Sequence, residues 1–173
     1  MNNKIHSLLI LTLAVIAVAC GPNREQRIQE IETIEDSISE YAAVLDTVVA
    51  ENLTTLYLNF SDKYPTDSLA PVYLFKAADI QSNLLHTERA ISLFNRVIDS
   101  YPDFEEVPMC YFLIGNAYEL NDQYDEARAA YQLFIDKYPD HFMAEQTRIM
   151  LPRVGMTPEE MLEDILANAA DSI

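Results

Sequence analysis

The chain has 173 residues and carries 11 Lys plus Arg against 28 Asp plus Glu, a formal net charge of −17. Such a surface repels phosphate backbones, whose binding needs clustered Lys or Arg, and it repels anionic headgroups, so no nucleic-acid partner is expected. Half of the residues are apolar, enough for a packed core, while only three glycines are present, Gly21, Gly115 and Gly155. That is too few for a phosphate cradle or a dinucleotide fingerprint, and no cofactor is expected.

Residues 1–19 run from the basic Lys4 through an apolar stretch beginning at Leu8 to small residues before Cys20. This is the pattern of an export signal, too short and wrongly flanked for a membrane span. Ala17-Val18-Ala19-Cys20 resembles a bacterial lipobox. The resemblance implies cleavage before Cys20 and a lipid anchor on it, followed by a short tether over residues 20–27. Ala17 departs from the resemblance, since Leu or a β-branched residue is commoner there, and an ordinary secretory signal ending at a cysteine is the alternative. With no Asp after Cys20, the expected location is the outer membrane, facing the periplasm; the inner membrane and the free periplasm are the alternatives. Loss of the leader removes Lys4 and no acid, which leaves a net charge of −18. Cys110 then has no partner, and a lone helical cysteine reads as a small buried hydrophobe.

Residues 24–64 contain neither Gly nor Pro. Ile31, Ile34, Ile38, Tyr41, Leu45 and Val48 fall at alternating steps of three and four, the seam of a heptad. The spacing predicts one long helix over 28–64, whose seam packs within the chain or joins copies of it into a homo-oligomer. Helix pairs are expected at 71–85 with 87–100 and at 108–121 with 123–137. Residues 140–151 then read as the first helix of another pair, stopped by Pro152. Thr157-Pro158-Glu159-Glu160 is a capping box with proline in the first turn, and predicts a last helix from 158 to 170. Its apolar residues Met161, Leu162, Ile165, Leu166 and Ala169 share a face, expected to close the end of the stack.

The pairs are in register. Tyr64-Pro65, Tyr101-Pro102 and Tyr138-Pro139 recur at a step of 37 residues, and Pro71 and Pro108 keep the same step. Counting back from Pro139 gives Tyr111, Ile114, Gly115, Tyr118, Ala127 and Tyr131, and from Pro102 Leu74, Ala77, Ala78, Gln81, Ala90 and Phe94. This spacing of large, small and aromatic residues resembles the tetratricopeptide repeat. The resemblance implies an all-α solenoid of antiparallel helix pairs, with repeats over 70–102 and 107–139, a degenerate one inside 28–64, and a partial repeat with a capping helix over 140–170. Gln81 departs from it, standing where an aromatic is expected. The family period is about 34 residues. The extra residues therefore fall between each proline and the next helix, in 66–70 and 103–107.

No catalytic or metal-ligating constellation is legible. His86 and His141 belong to no recognisable spacing, and His141 with Glu145 would be half a metal site at most. An enzyme using an unmarked acidic site is the remote alternative to a binding protein. The resemblance implies that a partner lies along first-helix positions facing away from the second helices: Val72, Phe75, Asp79 and Ser82, then Met109, Phe112, Asn116 and Glu119. Phe75 and Phe112 are equivalent. With aromatics and acids and no Lys or Arg there, an apolar or basic segment is the expected ligand. Helix pairs behind a lipobox resemble the outer-membrane barrel-assembly lipoprotein, which has about five repeats, and the N-terminal seam resembles the Tol-Pal-associated coordinator of envelope constriction. The first implies a lipid-anchored scaffold that holds another envelope protein; the second, to which the lipid site would be an addition, implies the alternative, a coiled-coil-oligomerising adaptor for envelope constriction or cell-wall machinery.

Overall fold

The computed structural model describes residues 21–41 and 46–170. The expected leader, Cys20 and Leu45 lie outside the described residues, as does the side chain of Tyr41. Among the described residues there are eight α-helices, one short 3-10 turn and no strand. They divide into two units, one up to Asp46 and one from Thr47 onward.

The first unit holds α1, Arg24–Tyr41. Its start is fixed reciprocally: Asn23 Oδ1 accepts from the Gln26 N–H and Gln26 Oε1 from the Asn23 N–H, both at 2.9 Å. Ile31 is buried and Ile34 and Ile38 are half-buried. The single helix expected over 28–64 is not found. Asp46 lies outside any helix, and α2 begins afresh at Thr47 and runs to Lys63. The sequence explains a start there. Asp is a preferred N-cap residue, and the β-branched Thr47-Val48-Val49 are weak helix formers. Val48, assigned to the seam, is 75 % exposed.

The second unit is the stack: α2, then α3 (Leu69–Asn83), α4 (Thr87–Ser100), α5 (Val107–Glu119), α6 (Tyr124–Lys137), α7 (Ala144–Met150), the 3-10 turn Leu151–Arg153, and α8 (Pro158–Ala170). Each of α2 to α6 packs on the next, α6 on α7, and the first helices α3 and α5 touch each other, as in an antiparallel helix-pair solenoid. Fully buried Leu74, Ala77, Ala78, Ala90 and Phe94 fill the second repeat, and Ala127, Tyr131 and Phe134 the third. The small residues at Ala78, Ala90, Gly115 and Ala127 let the paired helices approach, and the rings fill the space beside them.

The 37-residue step has a structural cause in its connectors. Tyr64, Tyr101 and Tyr138 each donate a backbone N–H to the residue four before, and each carbonyl accepts from the residue three ahead, Asp67, Phe104 and His141. Those three residues accept in turn from Ala70, Val107 and Ala144. The residues in excess of the family period form this double turn, copied three times. The intra-repeat turns are also copies. His86 donates to Gln81 and Gln123 to Tyr118 at 2.9 and 3.0 Å, with Leu85 and Asp122 left-handed at φ 59° and 57°. This is the closing pattern of a helix whose C′ residue is usually glycine.

The last repeat departs from expectation. The first helix expected over 140–151 is cut to Ala144–Met150, because the third connector occupies 138–144 and Pro152 ends it. The capping box forms, with Glu160 accepting the Thr157 N–H at 2.8 Å and Thr157 Oγ1 the Glu160 N–H at 3.2 Å. The helix that follows does not bury its apolar face as a cap should: Leu162, Ile165 and Leu166 are 57, 49 and 60 % exposed.

Candidate functional site

The first-helix face of the two good repeats is built from α3 and α5. Pro71 and Pro108 sit in the first turns of these helices, where a missing N–H breaks no hydrogen bond. Val72, Phe75, Asp79, Met109, Phe112, Asn116 and Glu119 are all half-buried, and Ser82 is buried.

The two phenylalanines do not face away from the second helices as expected. Phe75 meets Phe94 of α4 edge-on at 5.9 Å and Phe104 of the connector at 6.3 Å. Phe112 packs on Tyr131 at 5.3 Å and Phe134 at 5.8 Å, both on α6. Glu119 also reaches its second helix, accepting the Tyr131 hydroxyl at 2.7 Å. A long flat ring at these positions gains more by filling the seam between the two helices of its own repeat than by standing in water. The rings are therefore walls of the face, and its polar character falls to Asp79 and its equivalent Asn116.

Asp79 is the electrostatic exception on this face. Burial pushes its carboxyl upward, and among the described residues no cation or hydrogen-bond donor reaches it to hold it down. An uncompensated, half-desolvated carboxylate is costly in the free protein and is improved by any cation brought to it.

A second polar cluster explains Gln81. Fully buried, it donates Nε2 to Thr54 Oγ1 at 3.0 Å, while its Oε1 accepts from Arg89 at 3.1 Å and lies 2.9 Å from His86 Nδ1. Glu51 completes the set, bound to Arg89 at 3.0 Å. Burial raises the Glu51 carboxyl, but the Arg89 and Gln81 hydrogen bonds and the Arg89 and His86 charges outweigh it and leave it lowered. The amide ties α2, α3 and α4 together where the other repeat places Tyr118. Its role is structural.

The remaining candidates are quiet. Cys110 is fully buried, and burial, with the Glu106 charge behind it, pushes its thiol up to about 12, so it packs as a hydrophobe. His141 meets Phe134 edge-on at 5.4 Å and lies tilted against Phe142 at 4.5 Å. Among the described residues no three His, Cys, Asp or Glu are placed to hold a metal, and no helix is long and apolar enough to cross a membrane.

A different surface went unrecognised in the sequence. Glu119, Ile149, Met150, Arg153, Val154 and Met161 line a hollow of about 270 Å³ where α5 meets α7 and α8. Through Glu119 it adjoins the first-helix face, and through Met161 it runs onto the exposed stripe of α8. The signal that could have exposed it is charge: beyond Arg153 the chain has five acids and no Lys, Arg or His.

Comparison with protein families agrees with the helix-pair geometry. Residues 73–103 and 109–141 match the tetratricopeptide repeat family model. No curated protein matches the chain. The matched segments coincide with α3–α4 and α5–α6, so the fold is an all-α solenoid of tetratricopeptide type, built of repeats that typically serve as non-enzymatic protein-binding scaffolds.

Proposed function

We propose that this chain is a lipid-anchored periplasmic scaffold that holds another protein of the bacterial envelope on its repeats. Asp79 is the observation that carries the binding reading. The carboxylate is half-buried, and has no partner among the described residues, on the ring-walled first-helix face of the second repeat, where a cationic side chain of a ligand would remove its desolvation cost. Val72 and Phe75 lie on the same helix, and Met109 and Asn116 stand at the corresponding first-helix positions one repeat on, all with partly accessible surface. The ligand segment is accordingly basic and apolar.

The anchor rests on Ala17-Val18-Ala19-Cys20 at the end of an export signal, and the outer membrane is its proposed location. A role in outer-membrane assembly or maintenance accords with the family resemblance. The test joins the two parts. Cross-linking in intact envelopes with the full lipoprotein captures a protein partner; Asp79→Lys abolishes capture without changing the melting temperature by more than a few degrees. Cys20→Ser moves the protein out of the membrane fraction. Capture that is indifferent to Asp79→Lys removes the face from the proposal, and a Cys20→Ser protein still sedimenting with membranes removes the anchor.

A further inference from the structure

Building on the reading of the stack as a protein-binding scaffold, we infer that α8, with the hollow beside it, docks a basic amphipathic helix of the partner protein. In a helical-repeat stack each pair buries one face on its predecessor and offers the other to whatever packs next. Among the described residues α8 leaves that apolar face open. Leu162, Ile165 and Leu166 are each about half exposed or more at helical spacing, and Ile149 of α7 adds a further apolar side chain, 58 % exposed, on the rim of the hollow. A contiguous exposed stripe of this kind marks an interaction surface.

Charge selects the occupant. Residues 154–173 carry Glu159, Glu160, Glu163, Asp164 and Asp171 and no basic residue. Arg153, which lines the hollow, is held by Asp164 at 2.8 Å. Glu160 is committed to the capping box, which leaves Glu159 and Glu163 exposed beside the stripe. A second copy would set this acidic rim against itself, and anionic headgroups would meet the same repulsion. A helix with Leu-type residues on one side and Lys or Arg flanking them satisfies both the stripe and the rim, and is read as a helix laid into an apolar groove.

The test uses the full chain and three labelled 18-residue peptides made of Leu and Ala with a charged residue: an amphipathic lysine peptide, a scramble of the same composition, and its glutamate counterpart. Fluorescence anisotropy should show the amphipathic lysine peptide binding at least about tenfold more tightly than the other two. Leu162→Ser with Ile165→Ser should weaken it by about tenfold or more at unchanged helix content, since both side chains are already in water in the free chain. Glu159→Lys with Glu163→Lys leaves the stripe intact and should weaken the lysine peptide and strengthen the glutamate one. Equal binding of the scramble, or binding unchanged in both double variants, overturns the inference. So does a dimer of the wild-type chain that Leu162→Ser with Ile165→Ser dissolves. Asp79→Lys should leave this binding in place; if it alone abolishes it, the α8 site falls while the first-helix face stands.

Discussion

Gly115 gives the sharpest test of how the repeats are held, because its two opposing effects can be weighed. Replacing a mid-helix glycine by alanine ordinarily stabilises a helix by about 1 kcal/mol. At Gly115 the added Cβ would lie 2.6, 2.7 and 3.0 Å from three ring carbons of Tyr131, where carbon atoms rest at about 3.5–4.0 Å. The ring has little freedom to yield. Tyr131 is fully buried, wedged on Phe112 at 5.3 Å, with its hydroxyl held by Glu119 at 2.7 Å. Overpacking of a rigid core typically costs about 1–3 kcal/mol, and an overlap approaching 1 Å against a tethered ring belongs at the upper end. Net, Gly115→Ala should lose about 1.5 kcal/mol, a fall in Tm of about 3–6 °C for a chain of this size.

The second repeat supplies the control. Ala78 is the equivalent residue and Phe94 the equivalent ring, both fully buried, so alanine is accommodated where the ring lacks a hydroxyl tether. Ala78→Gly should therefore also destabilise, by about 1 kcal/mol, so that both exchanges lower stability. In the Gly115→Ala background, Tyr131→Phe should cost less than it does alone, since an untethered ring can shift to admit the methyl. Thermal and urea unfolding followed by circular dichroism at 222 nm measures the four variants and the wild type. A Gly115→Ala chain as stable as wild type, or more so, refutes the account, because helix propensity would then have outweighed the ring contact.

Gln81→Leu should cost about 1–2 kcal/mol in the same assay, because it removes the buried amide that donates to Thr54 and accepts from Arg89 between three helices, while Arg89 and Glu51 keep each other; a loss under about 0.5 kcal/mol would show that water replaces the amide. The lowered Glu51 carboxyl contributes stability that is present above the ordinary glutamate range and lost as pH falls through its folded value. Melting temperature should accordingly drop on acidification toward pH 4 and below, and Glu51→Gln should flatten that limb; an identical profile in the variant rejects the assignment. Leu85 holds φ 59° and is 58 % exposed, so Leu85→Asn should stabilise by about 0.5–1 kcal/mol, whereas Asp122→Leu at the equivalent turn should destabilise by a similar amount.

How far the fold is legible in the sequence depends on whether a residue answers to local periodicity or to distant charge. The step from Tyr64 to Tyr138 and the small residues at Ala78, Ala90, Gly115 and Ala127 specify helix pairs, because close helix approach leaves no other residue types at those positions. The break before Thr47 was hidden, since an apolar seam can cross a non-helical residue without losing its spacing and no Gly or Pro marks the place. The direction of Phe75 and Phe112 was hidden for another reason. On a first helix the same spacing serves a groove or a seam with the second helix, and only the rings opposite, Phe94 in one repeat and Tyr131 with Phe134 in the other, decide between them.

The C-terminal helix shows why a correctly located element can still be assigned the wrong work. Its capping box and apolar face read as a terminal cap, and both features exist. A cap, however, requires a surface to cover, and the third connector together with Pro152 shortens α7 to seven residues. That leaves too short a first helix for α8 to pair along as α4 pairs with α3, so its apolar face is left in water. The acids around that face, which as bulk composition read only as solubility, become local information once the stripe is seen to be exposed. On a buried cap they would ring a closed seam, whereas on an open one they determine the sign of what can bind.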